Sequence, residues 1–174
     1  MDKLSYDTVS SFMRAKIPQE IEDELLMAYA NCTEGQDDLN MEDIGLFFEE
    51  LGLSKQWYKM VRKDMVCIEG TRVVDFEKLM DITYRLLVFM DNERTIDEQW
   101  SLLVRYSGRD EQFPQVKLRN HVLSAKDLQK CMVQVQMSGS AVVDMVSGVT
   151  KGPRVYVTYL DFAYLLGKLG YLRF

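Results

Sequence analysis

Histidine, proline and cysteine are scarce in this chain, with one, three and three among 174 residues. A lone histidine, His121, is a poor start for a metal site. A base–nucleophile pair with Cys131 has nothing in the sequence to motivate it, and a structural histidine is the simpler reading. Cys32, Cys67 and Cys131 are widely spaced and form no CxxC pair, which fits buried thiols in a reducing compartment better than a disulfide framework. No apolar run approaches the roughly 20 residues of a membrane span. The opening MDKLSYDTVSS lacks the apolar stretch of a signal peptide. There is no GxxxxGKS/T phosphate loop and no GxGxxG turn. Positive charge is short overall: a net charge of −6 argues against autonomous nucleic-acid binding. Nothing here points to a catalytic site, and the chain reads as a non-enzyme that needs no cofactor.

What is present is a core-forming composition, 47% apolar, with an uneven charge distribution. Residues 1–100 carry 11 basic and 22 acidic side chains, a net of −11, whereas residues 101–174 carry 10 basic and 5 acidic, a net of +5. The two parts therefore face different surroundings.

Four segments share one pattern: a β-prone apolar residue, a capping residue, then an amphipathic helix. They begin at Leu39-Asn40, Val74-Asp75, Leu123-Ser124 and Val157-Thr158. The first two starts lie 35 residues apart and the last two 34, which predicts two lobes of paired helix–loop–helix units. Asn40, Asp75, Ser124 and Thr158 all suit an N-cap. Asp43, Asp127 and Asp161 follow three residues later in three units, approximating a capping box. The remaining pattern predicts a helix opening near Pro18 with acids in its first turn, and a second over 43–51 stopping at Gly52. It predicts a third over 76–90, and one opened by a capping box at Thr95-Ile96-Asp97-Glu98. An enlarged irregular loop is expected at 107–122, a short helix near 140–146, and a last helix over 159–170. The expected domains are a tail or short helix at 1–17, an N-terminal lobe at 18–92 and a C-terminal lobe at 93–174.

Helix–loop–helix pairs of this kind often bind calcium. A working loop needs oxygen ligands at positions 1, 3, 5 and 9 of 12, glycine at 6 and glutamate at 12. Placing each β-prone residue at position 8 tests this. Loop one (32–43) opens on the Cys32 thiol, has Asp37 at position 6 and ends on Asp43. Loop two (67–78) opens on Cys67, has Arg72 at position 6 and closes on Lys78. Loop three is far longer than 12 residues, and loop four (150–161) carries Pro153 and Arg154 where the turn and a ligand belong. No calcium and no other metal is expected, because a hard cation wants charged oxygens rather than thiols and ammonium groups.

The phrases Leu39 to Gly52, Val74-Asp75-Phe76 and Val157 to Phe162 resemble calmodulin and centrin helices. Ile68 to Thr71, Gly108-Arg109-Asp110, Phe113 to Val116, His121 to Lys130, and Thr158 to Phe162 with Leu166 to Leu172 resemble one fungal family. That family is the Rad thirty-three group of centrin-like nucleotide-excision-repair accessory proteins in yeast. The likeness runs from about residue 18 to the C-terminus. It implies a mostly α, calmodulin/centrin-like fold: two lobes of paired degenerate EF-hands with short β bridges. It also implies a nuclear protein that binds the XPC-type damage-recognition subunit and meets DNA only indirectly. No calcium ligands carry over. Because the C-lobe here is basic, a target helix copied from the centrin system is a poor guide.

Trp100, Leu103, Val104, Leu128, Met132, Phe162, Leu165, Leu166 and Leu169 are the candidates to line a helix-binding groove in the C-lobe. Each also suits the lobe's core. The competing function is a cytoskeletal or spindle-pole light chain, centrin-like or myosin-light-chain-like, which fold physics does not separate from a repair adaptor.

Overall fold

A computed structural model describes residues 16–34, 38–134 and 156–173, which divide into two compact units, 16–91 and 92–173. The short helix anticipated near 140–146 and most of the 1–17 tail lie outside the described residues.

In the first unit, α1 spans Gln19–Thr33 and follows Pro18, whose φ of −58° is already helical. Glu20 and Glu22 in its first turn face the positive end of the helix dipole. A 3₁₀ turn over Met41–Asp43 leads into α2, Ile44–Glu50. Gly52 stops α2 as predicted: at φ 73° its N–H donates to Glu49 O, and the Leu53 N–H donates to Phe48 O. These two bonds satisfy carbonyls that a helix end would otherwise orphan. Two one-turn helices follow, α3 at Lys55–Tyr58 and α4 at Lys63–Val66, before the long α5, Phe76–Asp91. Leu25, Phe47, Phe48, Trp57, Leu79, Leu86 and Phe89 fill the core. Tyr58 stacks on Phe48, and Tyr29 meets Phe76 edge-on.

The β-prone residues meet as the repeat predicts. The Val74 N–H donates to Leu39 O at 2.8 Å, and Asn40 bridges Val73 antiparallel. Asp75 caps α5 by accepting from the Lys78 N–H.

In the second unit, α6 spans Glu93–Tyr106, α7 Arg109–Gln112, α8 Ala125–Gln134 and α9 Tyr159–Lys168, with a 3₁₀ turn at Leu118–Asn120. Strand β1, Leu123–Ser124, pairs antiparallel with β2, Tyr156–Val157, with Leu123 opposite Val157. Gly170, at φ 82°, ends α9 with the same bond pair as Gly52: its N–H reaches Gly167 O while that of Tyr171 reaches Leu166 O.

Two expectations shift. The helix expected to open at Thr95 starts at Glu93, and Glu98 pairs with Arg94 one turn back instead of capping. Asn92 precedes this helix but makes no side-chain cap, because its amide clasps the Arg173 backbone through both N–H and C=O, at 2.6 and 2.7 Å. The segment 107–122 is not simply irregular: it holds α7 and a 3₁₀ turn, tied down by polar contacts.

Candidate partner-binding site

Three amphipathic helices, α6, α8 and α9, bring the nine predicted residues together in the second unit. Trp100 is wholly buried, its ring 5.3 Å from that of Phe162 and 6.0 Å from that of Tyr159. Val104, Leu128, Met132, Phe162 and Leu166 are also buried. Leu103 and Leu165 are half-buried, and Leu169 is 48% exposed at the end of α9. Six of the nine are therefore buried, and Leu169 faces solvent. Leu102 and Tyr106, four apart on α6, Val133 on α8 and Tyr156 on β2 are exposed apolar residues outside the predicted nine. Their signal was present: Leu102 and Tyr106 sit off the Trp100–Val104 stripe on an otherwise polar face.

The helix starts are fixed by two reciprocal boxes. The Ser124 and Thr158 hydroxyls accept from the N–H groups of Asp127 and Asp161, whose carboxylates accept in return from the Ser124 and Thr158 backbone N–H groups at 2.8 and 3.0 Å. The pattern predicts a third box at Asn40 and Asp43, but the Asn40 side chain makes no cap.

Side-chain cations close two of the loops. At the end of loop two the Lys78 ammonium donates to the carbonyl of Cys67, the loop's first residue, at 3.0 Å. In loop three the Arg109 guanidinium donates to Asp127 Oδ2 at 3.0 Å. Burial raises the Asp127 carboxyl, but hydrogen bonds from Ser124 and Arg109 outweigh that and hold it below the usual carboxylate range. Among the described residues no group of three or more His, Cys, Asp or Glu side chains converges as metal ligands.

A second cluster went unseen in the sequence. Arg119, in the 3₁₀ turn, forms ion pairs with Asp97 and Glu93 on α6 and lies over the Tyr159 ring. The Tyr159 hydroxyl donates to Asp97 at 2.6 Å. Burial raises the Asp97 carboxyl, yet the bonds from Arg119 and Tyr159 overcome it and depress the value. Tyr159 is pushed far up, first by burial and then by its bond to Asp97, so it stays a donor. These partners lie 22 to 62 residues apart in sequence. No helical or strand period links them, and the only hint was three cations, at 109, 117 and 119, in a segment beside an acidic helix start.

His121 is buried, and Cys131 donates its thiol proton to Leu103 O. Burial, with Asp127's charge adding, pushes the Cys131 thiol up to about 11, which leaves it protonated at neutral pH and a weak nucleophile.

A family model described as Rad33 matches residues 11–69 and 61–139. DNA repair protein RAD33 of Saccharomyces cerevisiae (strain ATCC 204508 / S288c) is 46% identical over 173 residues, covering 98% of this chain and 96% of the yeast protein. The chain belongs to the Rad33 family. The Rad33 match takes in α6, the 107–122 segment and α8, so Arg109 with Asp127, and Arg119 with Glu93 and Asp97, stand within it, while Tyr159 lies beyond it.

Proposed function

We propose that this Rad33-family chain serves DNA repair as a non-enzymatic, calcium-independent adaptor in nucleotide excision repair. Each unit is read as a calmodulin/centrin-like lobe of two degenerate EF-hands. The C-lobe grips a helix of the XPC-type damage-recognition subunit and stabilises that partner in the nucleus, with DNA met only through it. The observation that carries the reading is 46% identity, along nearly the whole of both chains, with a protein named for DNA repair. The antiparallel joining of loop residues in both units supports the paired-hand fold. Internal cations at Cys67 O and Asp127 favour calcium independence, since each holds an oxygen of its loop without a metal. The light-chain alternative rests on the same fold argument and lacks the family support.

The test is affinity capture from yeast extract with identified prey, using wild type and Leu169→Asp. Leu169 is exposed, so the variant keeps its fold, while a charge buried unpaired against a partner is costly. Loss of the damage-recognition subunit from the Leu169→Asp catch, with ultraviolet sensitivity in cells, is the expected result. Undiminished capture moves the site away from this face, and prey confined to cytoskeletal proteins overturns the repair reading.

A further inference from the structure

The α6 face at Glu93, Asp97, Trp100 and Val104 follows helical spacing, so these four residues lie in one stripe. The 107–122 segment runs back along that stripe. Leu118 O accepts the Trp100 indole N–H at 2.9 Å, and Arg119 spans Glu93 and Asp97. At its other end Arg109 holds Asp127 at the start of α8. What the segment covers and what it is made of differ sharply. Trp100 and Val104 are fully buried, whereas within 107–122 only Ser107 and His121, near its two ends, are buried, and Phe113, Val116 and Leu118 are half-buried. Between those ends it is held by polar bonds at a few points, and none of its apolar side chains there is fully buried. Arg119 is the main fastening: its side chain is only 15% exposed, and Tyr159 extends the cluster to α9.

We propose that residues 107–122 are a removable strap over the Trp100 face of α6, competing with the partner helix for that face. The competition rests on the adaptor reading above; the strap itself does not. Lifting it breaks the Arg119 pairs with Glu93 and Asp97, the Arg109–Asp127 pair and the indole hydrogen bond, and uncovers the sheltered part of Arg119 and Leu118. An incoming apolar anchor then covers Trp100 in its place, so strap strength sets partner affinity as a population of open states.

The full chain contains two tryptophans, so Trp57→Phe leaves Trp100 as the sole indole reporter. In that background Arg119→Glu is compared with Arg119→Glu combined with Asp97→Arg, which restores opposite charges. Acrylamide quenching reads the cover, and capture of the damage-recognition subunit reads the competition. Arg119→Glu is expected to raise the quenching constant several-fold and to tighten capture by about tenfold, the ratio by which the covered state would outweigh the open one. The charge swap returns both towards wild type. Unchanged quenching in the folded single variant overturns the strap. Raised quenching with weakened capture overturns the competition, because the segment then belongs to the binding surface. Raised quenching with no capture by any version, wild type included, leaves the strap standing and sinks the adaptor reading instead. Where Arg119→Glu unfolds, Arg119→Gln and quenching from about 0.05 to about 1 M sodium chloride test the same fastening, since salt screens it; quenching flat in both overturns the strap.

Discussion

Replacing Thr158 by alanine removes a hydroxyl that accepts from the Asp161 N–H at 3.3 Å and donates to Asp161 Oδ2 at 2.9 Å. The Thr158 backbone N–H still reaches the carboxylate at 3.0 Å. The loss is one N-cap and one hydrogen bond to a charged acceptor, about 1–2 kcal/mol. In a unit of this size each kcal/mol is worth roughly 4–8 °C in melting temperature. Asp161→Ala removes both bonds to the carboxylate, from the Thr158 N–H and hydroxyl, keeps only the bond from the backbone N–H of residue 161 to that hydroxyl, and costs more, about 2–3 kcal/mol. Asn40 holds the matching place in the first repeat but its side chain caps nothing, so Asn40→Ala stays within about 0.5 kcal/mol. Urea melts followed by near-ultraviolet dichroism separate these values, because Trp100 and Tyr159 report from the same unit as Thr158. Equal costs for Thr158→Ala and Asn40→Ala would refute the reasoning: the sequence pattern treats the two sites alike, and only the hydrogen bonding distinguishes them.

Acid titration offers a second check. Asp97 and Asp127 are depressed in the folded state, which therefore binds fewer protons than the unfolded chain. Their stabilisation is complete above the unfolded value of about 4 and drains away as pH falls through the folded values, so Arg109→Ala and Arg119→Ala flatten the acid limb of a stability–pH curve. Lys78→Ala lowers stability by about 1 kcal/mol or less, the bond to Cys67 O being partly exposed, and millimolar calcium raises the melting temperature of neither wild type nor variant. Iodoacetamide at neutral pH modifies the half-buried Cys32 before Cys131, whose thiol is buried and titrates near 11; the reverse order in mass spectra would contradict the packing. Leu86→Ala, at a fully buried site on α5, costs about 2–5 kcal/mol in urea melts.

Local chemistry was legible from the sequence alone. Gly52 ending α2, Asp75, Ser124 and Thr158 opening helices, and the span of α5 all depend on residues within five positions of each other. A cap or a turn leaves its mark in the order of side chains. The pairing of Leu123 with Val157, and of Leu39 with Val74, was legible for a different reason: a repeat carries its own register, so matched spacing stands in for contact. Near neighbours also misled where a distant partner competed. Asn92 gives up the start of α6 to hold Arg173, and Glu98 serves Arg94, so the box expected at Thr95 does not form.

Only the tertiary structure decided how the second unit's apolar and charged residues are divided. Periodicity put Trp100, Phe162 and Leu169 on inward stripes alike, but a stripe has a direction and no depth. Depth depends on what packs opposite, which buries Trp100 beneath Leu118 and leaves Leu169 in water. The Arg119 cluster joins residues up to 62 positions apart, a separation over which no helical or strand period links them. Sequence by itself determined the main helices and the pairing of the loops, because those follow from bonds between near neighbours and from repetition. The place of 107–122 against α6 was settled in three dimensions, where ion pairs form between charges that only the finished fold brings within reach.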